Sequence, residues 1–319
     1  MEELITQSSI KNDKKNKKIG IAFSGGGAKG YVHIGVVKAL QEYGLKFDCI
    51  AGTSAGSIVG AFYANGYSWE QMFNIGKKLK TADIKKYKIL PSKTDGIQKL
   101  LINAFGDINI EDLKTPFTAV AVDIKTLKEC AITSGNLAKA VAGSCCVPGA
   151  FEPVKFEDKL LCDGGLKNSI PADVLKEQGC DYVISVDIGG EKKGVKSSKL
   201  FDVLTCALDI LVTDTKYRGY LYSDMVIQPT THNFLPTKIE NCMAMVEEGY
   251  RATIEVMPQI LEFFSERKTT AAVNKQLAKK RYKAKQYIYD IKSTKVKQVE
   301  KKEEDKVKQD KIKELEIVK

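Results

Sequence analysis

Within its first 64 residues the chain twice runs from a short apolar segment, through a glycine-rich turn, into small and apolar residues at helical spacing. The first unit is IGIAFS (19–24), GGGAKG (25–30) and YVHIGVVKALQEYG (31–44), with Gly44 as the helix stop. The second is DCIAG, the turn Gly52-Thr53-Ser54-Ala55-Gly56 and a helix-like run from Ser57. Further on, FTAVAVD (117–123) and KECAITSG (128–135) read as two strands around a turn, and KLLCDGG (159–165) as a strand into a loop. Helix PADVLKEQG (171–179), strand DYVISVDI (181–188), a helical stretch near 200–218, a strand in SDMVIQP and a long helix from about Pro236 to Phe264 follow. Strands alternating with helices predict an α/β fold, a mainly parallel central sheet with helices on both faces.

The second turn has the pattern G-x-S-x-G, a serine on a strand-to-helix turn too tight for side chains on either flank. Such a serine suggests a nucleophile, and a hydroxyl nucleophile needs a base. The chain has two histidines, His33 inside the first helix pattern and His232 in the polar loop PTTHNF, and nothing around either marks a role. LCDGG is different. Asp163 ends an apolar strand and is followed by Gly164 and Gly165, the strand-end placement that Ser54 also has. A carboxylate within hydrogen-bond reach, its pKa raised by partial burial, can take a serine proton directly. The competing reading of Asp163 as a D-G hairpin turn is weakened because the segment leads into a helix.

Two readings of the first glycine loop compete. Gly25, Gly27 and Gly30 fit G-x-G-x-x-G between a strand and a helix, the dinucleotide-binding pattern, which requires an acidic residue at the end of the second strand. Asp48 is the available acid, and it stands at that strand's start. The second reading fits better: the amides of Gly25, Gly26 and Gly27, free of side chains, line a hole for a carbonyl oxygen becoming negative. Lys29, a cation in the first helical turn, opposes the macrodipole. It implies a carboxylate or an anionic substrate group beside it, or else a packed stem with its head in water.

At 319 residues and 43% hydrophobic content there is room for one large domain plus appendages. The net charge of +10 is confined to the ends. Residues 1–18 carry 5 basic and 3 acidic residues, residues 19–270 carry 29 of each, and residues 271–319 carry 16 and 8. The expected organisation is therefore a basic N-terminal extension (1–18), a neutral catalytic body (19–270) and a Lys/Glu-rich tail (271–319), helical or disordered. Eight cysteines lack C-x-x-C spacing, which argues against a disulfide framework or a zinc site and for a reducing compartment. With neither an apolar leader nor an 18-residue apolar run, the expected location is cytoplasmic, with peripheral contact at the inner membrane surface through the basic tail. Neither a cofactor nor a metal is expected, and no nucleic acid.

G-G-G-A-K-G (25–30), G-T-S-A-G (52–56) and D-G-G (163–165), in that order, resemble the three motifs of the patatin-like phospholipases. S-C-C-V-P-G-A-F-E-P-V (144–154) and N-S-I-P (168–171) resemble the family's linking segments. The resemblance covers about residues 19–190. It implies a lipid acyl hydrolase acting on phospholipids or other fatty-acyl esters, with Ser54 as nucleophile, Asp163 as base and Gly25 to Gly27 as oxyanion hole. Lys29, Gly30, Gly52, Gly56, Gly164 and Gly165 would then support the loops or the substrate. The alternative on the same fold is a catalytically weak lipid-binding or regulatory protein.

Overall fold

The computed structural model describes residues 17–77, 94–190, 200–234, 241–265 and 279–280; residues 1–16 of the N-terminal extension (1–18) and nearly all of the tail 271–319 lie outside the described residues. The first motif forms β1 (Ile19–Phe23) and α1 (Tyr31–Glu42), and the second β2 (Cys49–Thr53) and α2 (Ala55–Ala64). Then come α3 (Trp69–Lys77), α4 (Asp95–Phe105), β3 (Phe117–Asp123), β4 (Lys128–Ile132) and α5 (Leu137–Ser144). The second half contributes β5 (Val154–Phe156), β6 (Lys159–Asp163), α6 (Ala172–Glu177), β7 (Tyr182–Val186), α7 (Leu200–Tyr222), β8 (Met225–Ile227) and α8 (Cys242–Ser265).

Parallel pairing joins β3, β2, β1, β7 and β8 in that order, and β4, β6 and β5 extend the β3 side by antiparallel pairs. All residues of β1, β2 and β3 are buried, as strands covered on both faces must be. Side chains divide between the faces by the period of two. Ile19, Ile21, Phe23 and Ile50 enter the main core with α1, α2 and α8, while Ala22, Cys49 and Ala51 meet Ile170, Leu175 and Val183 beside α6. The expected doubly covered sheet is present.

Helix α1 stops as its sequence dictates. Gly44 takes φ 63°, its N–H donates to Gln41 O (2.9 Å) and the Leu45 N–H to Leu40 O (3.0 Å), the bond pair of a Schellman cap. The long C-terminal helix is described from Cys242, so its expected start at Pro236 lies outside the described residues. No helix among the described residues is long and apolar enough to cross a membrane.

Helices α1 and α8 cross with their backbones in contact at two glycines. A Cβ on Gly35 would lie 1.9 Å from Val246 O, and one on Gly249 1.9 Å from Val32 O. Neither helix can retreat without opening the main core, so Gly249→Ala should destabilise the protein by about 1–3 kcal/mol, as overpacking does elsewhere. Urea unfolding measures this; a midpoint equal to wild type would mean that the crossing is looser than described.

Candidate active site

Two chain ends meet on one edge of β3. Strand β2 runs parallel to it and ends with Thr53 opposite Val120, while β6 runs antiparallel and ends with Asp163 opposite Ala121. Strand β4 pairs along Ala119–Asp123 and occupies the other edge. Consecutive residues of β3 thus hold the ends of two strands that point at each other, bringing Ser54 and Asp163 together although 109 positions separate them.

Past Thr53 the chain must leave the sheet at once. Ser54 does so at φ 52°, ψ −124°, a conformation disfavoured for any residue with a Cβ by roughly 1–3 kcal/mol. Close packing of α2 holds it there. A Cβ on Gly52 would lie 2.4 Å from Gly56 O and one on Gly56 2.2 Å from Phe23 O, so both flanking glycines are required. The Ser54 N–H donates to Ser144 Oγ (2.9 Å), and the Ser144 hydroxyl donates to Val120 O (2.6 Å). Ser144 therefore fills the gap in the ladder where one strand stops before the other begins. Ser54 O accepts from the Ser57 hydroxyl (2.6 Å), and the Thr53 hydroxyl donates to Asn168 O (2.8 Å).

Asp163 is buried, its N–H donates to Cys146 O (2.9 Å), and its Oδ1 accepts from the Gly165 N–H (2.8 Å). Burial pushes its pKa up to about 6, against the smaller opposing effects of the Gly165 amide and the Ser54 hydroxyl. It opens a short 3-10 turn, Gly164–Leu166, rather than a hairpin, and a Cβ on Gly164 would lie 2.2 Å from Val120 O.

The first glycine loop lies against Ser54: a Cβ on Gly25 would come within 3.5 Å of Ser54 Cβ. The three amides differ. Gly25 N–H donates to Ser169 O (3.1 Å), whereas those of Gly26 and Gly27 have no acceptor among the described residues. Gly27 has φ 59°, and Gly30 packs on Ala55 at the start of α2, where a Cβ would meet Ala55 Cβ at 3.2 Å. Lys29 is buried and its Nζ donates to Gly189 O (3.1 Å), which corrects the reading with its head in water.

Both histidines have other places. His33 is fully buried on Phe23, its Nε2 2.8 Å from Ser24 O, and burial pushes its pKa down to about 4. It is neutral near pH 7 and its Nε2–H holds the carbonyl at the root of the glycine loop. His232 is exposed on a loop beside Gly190. Asp48 accepts from the Ile19 N–H (2.7 Å), at the end of β1 away from the glycine loop, so it does not fit a ribose-binding acid.

Three partners escaped the sequence reading. Ser144 and the buried Cys145, whose thiol contacts Ser57 Oγ at 3.8 Å, lie in the SCCVPG segment, whose only sequence signal was its resemblance to a linking run. Asn168 ties its segment to the far strand through Nδ2, bonded to Asp173 (2.8 Å) and Glu129 (2.9 Å).

Residues 21–176 match the patatin-like phospholipase family, and that span contains the glycine loop, the serine turn and the Asp163 turn. These residues form a domain of the patatin-like phospholipase family. A relative, the neuropathy target esterase sws of Drosophila melanogaster, is 31% identical over 184 residues, 54% of this chain and 13% of that protein. An uncharacterised NTE-family protein of Mycobacterium tuberculosis is 32% identical over 184 residues, 56% of this chain and 51% of the other. The lysophospholipase NTE1 of Pyricularia oryzae is 31% identical over 182 residues, 54% and 12% of the two chains. The aligned part thus spans about half of the mycobacterial relative and about an eighth of the other two. Among solved structures, VipD of Legionella pneumophila aligns over 77% of this chain and 67% of its own, with TM-score 0.46 and 14% identity.

Ser144→Ala leaves the Ser54 N–H and the Val120 carbonyl of this patatin-like domain facing each other across an empty hydroxyl site. Two buried groups lose their partner, so stability should fall by about 1–3 kcal/mol, with Ser144→Thr intermediate. Denaturant unfolding checks this; Ser144→Ala as stable as wild type would show the bridge to be dispensable.

Proposed function

We propose that the chain hydrolyses fatty-acyl esters of lipids, phospholipids or lysophospholipids, with Ser54 as nucleophile, Asp163 as the base and the amides of Gly26 and Gly27 as oxyanion donors. The observation that carries the reading is a buried carboxylate, its pKa lifted to about 6, beside a serine on a strained turn, while His33 is bound elsewhere. The names of two relatives, an esterase and a lysophospholipase, support the substrate class. Gly25, whose amide is engaged by Ser169, sets the loop's position instead of donating.

In this reading Asp163 accepts the Ser54 proton as Oγ attacks the ester carbonyl. The two free amides hold the oxygen that becomes negative, at a site where they need not reorganise. The tetrahedral intermediate collapses, the alcohol leaves with the proton from Asp163, and an acyl-serine remains. Asp163 then deprotonates water, which attacks the acyl-serine, and the proton passes from Asp163 to Ser54 Oγ as the fatty acid is released and the serine restored. A base with a pKa near 6 is ionised at neutral pH and still accepts a proton with little penalty. The catalytic unit in this proposal is 19–270, and the 271–319 tail, nearly all of it outside the described residues, adds a salt-sensitive attraction to anionic membranes.

Rates on a soluble short-chain ester and on a lysophospholipid test the assignment and separate it from a weak lipid-binding role on the same fold. Ser54→Ala and Asp163→Asn should each lose on the order of 10³-fold or more in kcat, as members of a cooperating pair do. In the wild type, kcat/KM should rise about tenfold per pH unit below about 6 and level off above it, because the ionised form is the base. The same raised pKa means that the folded protein binds this proton more tightly than the unfolded chain, so the group's contribution to stability falls as pH rises from about 4 to about 6. Asp163→Asn should therefore raise Tm at pH 8 and not at pH 4. Near wild-type turnover by Asp163→Asn would contradict the dyad.

A further inference from the structure

Gly20 of β1 leaves room for two thiols to meet. Its register partner on β2 is Cys49, and partners in register present their side chains to the same face of a sheet, here the face covered by α6. Cys180 reaches the same place from the end of α6. Gly179 takes φ 82°, its N–H donates to Lys176 O (2.9 Å) and the Cys180 N–H to Leu175 O (3.0 Å), so a Schellman cap turns Cys180 back onto the sheet. A Cβ on Gly20 would lie 2.9 Å from Cys180 Sγ. The Cys180 sulfur therefore fills the space that the glycine leaves, and it shares a hydrogen bond with the Cys49 sulfur although 131 positions separate the two residues.

The two sulfurs differ in state. The bond from the Cys180 thiol lowers the Cys49 pKa to about 7 against the opposing effect of burial, with Lys18 helping, whereas Cys180 is pushed up and stays a thiol. About half of Cys49 is then thiolate near pH 7, and the thiolate is the form that reacts with an oxidant. The neighbouring thiol is placed to resolve a sulfenic acid. A second pair of neighbouring thiols, Cys146 and Cys162, lies deeper, 0% and 3% exposed against 8% for Cys49, and Cys146 Sγ donates to Glu152 O (2.8 Å).

We propose that Cys49 and Cys180 form a peroxide-oxidisable pair that closes to a reversible disulfide and clamps β2 to the approach to β7 across β1. The Cys49 thiolate attacks hydrogen peroxide and the O–O bond breaks; one oxygen stays on sulfur as a sulfenic acid, and the other leaves as hydroxide and takes up a proton to become water. Cys180 then attacks the Cys49 sulfur, the S–O bond breaks, and the hydroxyl leaves with the Cys180 proton as a second water. Two thiols lose two electrons and two protons, and one peroxide becomes two waters. The loop closed by the bridge contains both Ser54 and Asp163, so the cross-link restrains in the unfolded chain the whole segment that builds the site. Because the sulfurs already meet, closure needs no change of strand register. The pair is independent of the ester chemistry proposed above.

The test treats the full wild-type chain, folded at pH 7, with millimolar hydrogen peroxide, alkylates the remaining thiols in denaturant and maps the peptides by mass spectrometry. A Cys49–Cys180 disulfide should form first and be reversed by dithiothreitol, and the oxidised protein should have a Tm about 5–15 °C above that of the reduced one. Cys49→Ala and Cys180→Ala should each abolish both the bridge and the rise, and the wild-type map decides the matter even where a variant folds poorly. Full alkylation of both thiols after peroxide overturns the pair, as does a link between Cys146 and Cys162 in its place, or the Cys49–Cys180 link in equal yield from the urea-unfolded chain. A bridge that forms without raising Tm overturns the clamp.

Discussion

The site depends on one shared edge of one strand. β3 offers its edge first to β2 and then to β6, and the hand-over falls between Val120 and Ala121. Because β2 arrives parallel and β6 antiparallel, the two strands come end to end and their terminal residues, Ser54 and Asp163, face the same small volume. The Val120 carbonyl, left over at the junction, is taken by Ser144, and the missing side chain of Gly164 gives it room. Loops alone would place two side chains so distant in sequence far less reproducibly, since a strand edge fixes register to one residue.

The energetics at this junction run against stability. A non-glycine residue with φ 52° and a carboxylate raised to about 6 are both unfavourable in isolation, and both persist because the surroundings over-determine them. Two glycines forbid the α2 helix from standing further off, and the hydroxyls of Ser144, Ser57 and Thr53 satisfy the backbone around the turn. His33 belongs to the same support. Buried and neutral, it fixes Ser24, whose own hydroxyl accepts from the Ile188 N–H (3.0 Å), so the glycine loop starts from an anchored residue.

The alternation of apolar runs with glycine turns made the parallel strands and their covering helices legible, because a buried strand and an amphipathic helix each have a local signature. β5 and α3 to α5 were not read: β5 is three residues long, and the helices lie in stretches where apolar and charged residues mix without a clean boundary. Ser54 and Asp163 were legible because each ends an apolar strand and is followed by small residues. The role of Ser144 was not, since it arises from a gap in a ladder, a relation between three strands that no local window contains. The different states of the three glycine amides were equally hidden; Gly25 is engaged by a carbonyl 144 residues away in sequence.

The central claim is that Ser54 is made nucleophilic by Asp163, and labelling with a fluorophosphonate probe followed by peptide mass spectrometry addresses it most directly. An activated serine that faces oxyanion donors is phosphonylated, and a serine without a base beside it is not. The account predicts a single adduct on Ser54, forming at a rate that follows the ionisation of a group with pKa near 6 and slowed at least a hundredfold by Asp163→Asn. An adduct on Ser57 or Ser144, or labelling of Ser54 at the same rate in Asp163→Asn, would contradict it.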